Sequence, residues 1–331
     1  MQIAWRDGAR QNQALMISAL AQRIWGCTSD QSDAINQVPT GVPMVGNNRG
    51  KKKVMAIYFS TRTMQHFKRV QRLLDRLQGE TEPMALVLPG SPYPCGDVIV
   101  FAGSFNPPTV AHLALLKQAW RYARLHAPMQ LYAAFSRHTV DKETVERPLL
   151  LDRIVLLQKL LQRRIPQAGI MLFNRGLYLE QAEAIRRSFP KVQRIYFVLG
   201  FDKIVQIFDP RYYDDRDAAL AALFSQAELL VAPRGNQDED DLHKLLHQPQ
   251  NERFARYVYS LPFDSAYRQI SSTHVRQGIG DVAHAVPQEV RQFMRETRAY
   301  APPLHKGETH ELDYYGERVK LLSDLLAMPL S

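Results

Sequence analysis

The sequence predicts an α/β fold: a Rossmann-like, doubly wound parallel sheet with an N-terminal α/β extension. Three observations predict it. From residue 97 onward, short runs of β-branched and aromatic residues alternate with amphipathic stretches of helical spacing, the sequence pattern of βαβ units. Runs such as DVIVFAG, MQLYAAFS and RIYFVLG are apolar almost throughout, as strands covered on both faces are. The 331 residues are 45% hydrophobic and 23% charged, an ordinary composition for a chain that buries a core.

The elements follow in order. Residues 9–25 carry apolar positions at helical spacing and predict a helix. Residues 26–53, rich in Gly, Pro, Asn and Ser and ending in the basic cluster Arg49 to Lys53, read as a connection. VMAIYF (54–59) predicts a strand, 64–78 a helix, and MALVLPG (84–90) a strand closed by Pro89, Pro92 and Pro94. The regular alternation then begins. Strands are expected at 97–103, 129–136, 170–174, 194–200, 228–235 and 257–262. Helices are expected at 112–126, 148–164, 179–189, 218–226, 272–280 and 287–297. Residues 301–311 read as a loop and 312–327 as a terminal amphipathic helix. The expected organisation is an extension over 1–96, a regular α/β domain over 97–300 and a helical tail over 301–331.

Charge and cysteine content narrow the class. The formal net charge is +9, which favours anionic partners such as nucleotides; a basic solvated surface gives the same sum. Cys27 and Cys95 form no CxxC pair, which fits a reducing compartment. No apolar run approaches the ~20 residues that span a bilayer, and the first residues lack the layout of a signal peptide. The expectation is a cytoplasmic protein with no membrane partner, no nucleic-acid partner, and room for a homo-oligomer.

In a doubly wound sheet the ligand sits outside the carboxyl ends of the strands, so the loops there carry the argument. The loop after DVIVFAG is Gly103-Ser104-Phe105-Asn106-Pro107-Pro108-Thr109-Val110-Ala111-His112. Gly103 lets the backbone approach a ligand, and the prolines stiffen the loop. A helix opening near Thr109 would turn free N–H groups toward a phosphate. Thr109 and His112, three apart, share one face of its first turn. A helix cap would explain Thr109 alone, but not the whole string. A second constellation, Ile270-Ser271-Ser272-Thr273-His274-Val275-Arg276, follows the last predicted strand. It sets three hydroxyls at a helix start and a forked cation one turn in.

Together these strings resemble the GxFxPx(H/T)xxH and ISSTxxR signatures of the nucleotidyltransferase superfamily, and within it the nicotinamide/nicotinate mononucleotide adenylyltransferases. The SFNPPTxAH wording is closest to a fungal-type branch. Thr109 stands at the first His of the signature, and Ala111 replaces the more usual Gly. The resemblance covers residues 97 to about 300. It implies adenylyl transfer from ATP, accompanied by Mg²⁺, to a phosphorylated small molecule. His112, Thr109 and Arg276 would be the catalytic set. Gly103, Ser104, Phe105, Asn106, Ser271, Ser272 and Thr273 would hold the triphosphate, and Gly200 and Asp202 the adenosine ribose. Tyr213 would stack on the acceptor ring, with Lys142 and Arg234 facing phosphate and Arg153 as a helix arginine. No dedicated carboxylate cage for the metal is implied. The alternatives are cytidylyl or adenylyl transfer to another phosphorylated acceptor, or a catalytically weak nucleotide-binding protein.

Other patterns do not hold. His243 and His247 are four apart, but Lys244 stands where a metalloprotease needs Glu. GxxxxGK[ST] and GxSxG are absent, and Gly278-Ile279-Gly280 neither follows a strand nor gains a third glycine.

Overall fold

The structure, a computed structural model, describes residues 59–79, 81–126, 129–137, 147–305 and 311–328. The helix expected at 9–25, most of the strand expected at 54–59, Cys27 and Lys142 lie outside the described residues.

Seven strands form the main sheet: β1 (Ala85–Val87), β2 (Gly96–Ala102), β3 (Met129–Ser136), β4 (Gly169–Phe173), β5 (Val192–Gly200), β6 (Glu228–Ala232) and β7 (Val258–Ser260). Their spatial order is β1-β4-β3-β2-β5-β6-β7. All neighbours from β4 to β7 pair in parallel, and β1 pairs antiparallel to β4 at the edge. Counting β2 as the first strand, the parallel order is that of the Rossmann fold, which reverses between β2 and β5. The carboxyl ends of those two strands form the topological switch point.

The helices are α1 (Thr61–Arg76), α2 (Val110–His126), α3 (Leu150–Arg164), α4 (Tyr178–Ser188), α5 (Phe201–Phe208), α6 (Arg216–Phe224), α7 (Glu239–Leu246), α8 (Ser272–Gln277), α9 (Val282–Ala285), α10 (Gln288–Thr297) and α11 (Tyr314–Ala327). Side chains alternate across a strand, and β2 divides accordingly. Ile99 and Phe101 face a core built with α1, α2, α3, α10 and α11. Val98 and Val100 face a second core built with α4, α5, α6 and α7. Each fully buried Leu, Ile, Val or Phe contributes roughly 1.5–3 kcal/mol, so the two layers together fix the sheet. Among the described residues no helix is long and apolar enough to cross a membrane.

The boundary expected after residue 96 does not divide this core. Strand β1 belongs to the same sheet, and Phe67, Val70, Leu73 and Leu74 of α1 are buried in the same layer as α3. Residues 301–311, read as a loop, contribute a two-stranded ribbon of β8 (Leu304–His305) and β9 (Glu311–Leu312). The tail helix begins at Tyr314 and is capped by Asp313, whose carboxylate accepts from the Gly316 N–H at 3.0 Å.

Candidate functional site

The loop from Gly103 to Thr109 leaves the carboxyl end of β2, at the switch point. Gly103 N–H still donates to the Ala134 carbonyl of β3 at 3.0 Å. Phe105 then turns inward with φ +44° and no exposure. A non-glycine residue in that region costs about 1–3 kcal/mol and persists only where packing over-determines it. Here the ring is wedged edge-on against Phe101 and Phe135, with centroids at 5.5 and 5.1 Å. Gly103 has to be small for the same reason: a Cβ there would sit 3.3 Å from the Phe105 ring.

His112, in the first turn of α2, is half-buried against Phe105 at 5.1 Å. The Thr109 N–H donates to His112 Nδ1 at 3.0 Å, and Thr109 Oγ1 lies 2.9 Å from the same nitrogen. An N–H donor at Nδ1 requires a lone pair there, so the proton of the neutral ring sits on Nε2. Burial, and secondarily the positive charge of Arg234, push the imidazolium pKa down to about 4. The ring is therefore a neutral Nε2–H donor at pH 7. Thr109 is fully buried, and its Oγ1 accepts from the His112 N–H at 3.3 Å. It acts on the histidine rather than offering a free hydroxyl to a phosphate.

The second constellation closes on this loop. Arg276 Nη1 donates to the Asn106 carbonyl at 2.7 Å, and Ser272 Oγ donates to the Pro107 carbonyl at 2.8 Å. Ser271 caps α8, accepting from the His274 N–H at 3.1 Å. Thr273 Oγ1 accepts from Arg276 Nη2 at 3.4 Å. The hydroxyls expected to form an anion nest are thus first used to shape the loop and α8. Arg153 of α3 adds a third clasp, donating to the Ser104 carbonyl at 3.0 Å. The carbonyls of Ser104, Asn106 and Pro107 are all taken by side-chain donors. Among the described residues, the N–H groups of Ser104, Phe105 and Asn106 have no partner.

Gly200 ends β5 and Asp202 opens α5. Asp202 meets Arg234, which follows β6, at 3.3 Å. A Cβ at Gly200 would stand 2.8 Å from Asp202 Oδ1 and 3.4 Å from Arg234 Cδ, so only glycine leaves this pair its geometry. The structure therefore brings His112, Thr109, Asn106, Ser272, Arg276, Gly200, Asp202 and Arg234 to the carboxyl ends of β2, β5 and β6.

The sequence matches no protein-family model and no curated protein.

Tyr213 is placed differently from the expected stacking residue. Its hydroxyl donates to the Ile207 carbonyl at 2.6 Å, and its ring packs against the second core. Those contacts make it part of the wall between α5 and α6. Conversely, Tyr300 was not expected in the site. Its hydroxyl donates to Asn106 Oδ1 at 2.8 Å. It lies beyond the last domain helix, and a lone tyrosine there carries no sequence signal.

Proposed function

We propose that the protein transfers an adenylyl group from ATP to nicotinamide or nicotinate mononucleotide, releasing pyrophosphate. The observation that carries this reading is the placement and hydrogen bonding of His112 at the switch point. Its Nδ1 is turned onto the Thr109 N–H, its Nε2–H is left to donate, and the Arg276 motif is clasped to the same loop.

In this reaction an oxygen of the acceptor phosphate attacks the α-phosphorus of ATP in line. The bond from that phosphorus to the bridging oxygen breaks, and its electron pair leaves with pyrophosphate. Such transfers rest on positioning and on stabilising charge where it develops. His112 Nε2–H donates to an α-phosphoryl oxygen. The free N–H groups of Ser104, Phe105 and Asn106 face the polyphosphate, and Arg276 supplies charge to the departing end. The Asp202–Arg234 pair is partly exposed on both sides, so it is worth only about 0–1 kcal/mol. Ribose hydroxyls can compete for the Asp202 carboxylate and release Arg234 toward phosphate.

The residues present suit Mg²⁺ carried by the nucleotide. The groups that converge are mainly donors, with Asp202 as the carboxylate among them. Mg²⁺ takes phosphate oxygens and water readily, and it would supply charge neutralisation on the triphosphate.

The direct test is pyrophosphate release from ATP with Mg²⁺ and either mononucleotide. Release that depends on one of them, with the dinucleotide appearing in step, supports the reading. No release on protein that binds ATP sinks the mononucleotide assignment. The anchoring of Tyr213 by Ile207 favours a second reading within the same chemistry: another phosphorylated acceptor that needs no stacking ring. A panel of phosphorylated alcohols in the same assay separates the two. Both readings take ATP and a small phosphorylated molecule as partners, and both place the reaction in the cytoplasm.

A further inference from the structure

Asn106 is the most heavily clamped residue of the β2 loop. It is 1% exposed. Arg276 of α8 holds its backbone carbonyl at 2.7 Å, and Tyr300, beyond α10, holds its side-chain oxygen at 2.8 Å. Its remaining polar group, Nδ2, is buried with no hydrogen-bond partner. A buried amide N–H₂ without an acceptor costs about 1–3 kcal/mol, and such a group in a folded protein calls for a reason. Two residues before Asn106, Arg153 holds the Ser104 carbonyl while its own Nε is also buried without a partner. Two buried donors at this loop, Asn106 Nδ2 and Arg153 Nε, therefore each lack an acceptor.

We propose that Tyr300 is a positioning residue that turns the Asn106 amide so that Nδ2 donates to a phosphate oxygen of the bound polyphosphate. An asparagine side chain can rotate by half a turn and exchange its oxygen and nitrogen. A tyrosine hydroxyl that donates to Oδ1 selects one of the two arrangements. It leaves the N–H₂ as donor on the side opposite the ring. Arg276 on the Asn106 carbonyl prevents the backbone from undoing that choice. This inference rests on the adenylyl-transfer reading for the identity of the anion, but its anion-binding content stands apart from any acceptor.

The experiment uses the full chain and inorganic pyrophosphate as the probe, with binding measured by calorimetry and the Asn106 side-chain amide followed by ¹⁵N NMR. In the wild type, pyrophosphate should shift the Asn106 N–H₂ resonances. Tyr300→Phe should weaken pyrophosphate about tenfold, the loss of one charge-assisted hydrogen bond. Asn106→Asp keeps the acceptor for Tyr300 and replaces the donor with an anionic oxygen; it should weaken pyrophosphate about a hundredfold. Adding Tyr300→Phe to Asn106→Asp should change binding little further, because the two residues act as one unit. Independent, multiplying losses would overturn the proposal, as would unshifted amide resonances on bound wild-type protein. If Tyr300→Phe does not fold, Asn106→Asp and the NMR shift still decide. Wild-type protein that shows this coupling yet transfers nothing to a mononucleotide would sink the proposed reaction and leave the anion site standing. No pyrophosphate or ATP binding at all would remove both.

Discussion

At the scale of single residues, the chemistry turns on the protonation of His112. With a folded pKa of about 4 against an ordinary 6.5, the unfolded chain takes up a proton that the folded chain refuses. Stability is thus unaffected by this group above pH 6.5 and falls as the pH drops from 6.5 toward 4. An NMR titration of the His112 ring should place its midpoint near 4; a midpoint above 7 would contradict the neutral Nε2–H donor. His112→Ala should lower kcat about a hundredfold, as loss of a preorganised donor does, while ATP affinity changes less than about threefold. Equal losses in both would remove the transition-state role. The sequence made His112 legible because its spacing from Gly103 is local. It misassigned the work of Thr109, since a threonine that caps a histidine and one that meets a phosphate are spelled alike. The same limit applies to Tyr213. A tyrosine in a turn shows its flat face in the sequence but not the Ile207 carbonyl that claims its hydroxyl.

At the scale of elements, the β2 loop and α8 behave as one unit although 165 residues separate Ser272 from Pro107. Arg276→Ala would leave the buried Asn106 carbonyl without its donor. That should cost about 1–3 kcal/mol of stability besides weakening ATP, measured as a shift of the urea midpoint with unchanged slope. Arg276→Lys should recover part of the stability but little of the binding, because an ammonium cannot span both the Asn106 carbonyl and Thr273 as the fork does. A stability equal to wild type in Arg276→Ala would show that the clasp is incidental. The strands β2, β3 and β5 were legible because burial on both faces writes itself as unbroken apolar runs. Helix α5 was not, since FDKIVQIF is short and begins directly at the end of a strand. The ribbon of β8 and β9 is only two residues per strand, below what periodicity can register.

At the scale of the whole molecule, the C-terminal helix is bound into the domain rather than trailing from it, through Leu322 in the core and through a buried ion pair. Asp152 of α3 is 2% exposed. It accepts from Arg318 of α11 at 2.6 and 3.2 Å and from the Tyr315 hydroxyl at 2.8 Å. Tyr315 Oη in turn accepts from the Leu149 N–H at 2.7 Å, next to the start of α3. The guanidinium of Arg318 also lies over the Phe59 ring, 4.8 Å from its centroid. Asp152 and Arg318 are 166 residues apart, so an amphipathic pattern over 312–327 could suggest a helix but not this partner. A buried pair gains little over an apolar replacement, but removing one member strands the other charge and costs about 3–5 kcal/mol. Arg318→Met alone should therefore destabilise the protein by about 3 kcal/mol in urea unfolding. Adding Asp152→Leu should restore much of that loss, because no charge then remains buried. Because Arg153 is the next residue of α3 and holds the Ser104 carbonyl, Arg318→Met should also weaken ATP binding, whereas the exposed Lys320→Met on the same helix should not. If Arg318→Met shifted stability by less than about 0.5 kcal/mol, the range of ordinary surface changes, the tail helix would be held by its apolar face alone and the link to the site through α3 would fail.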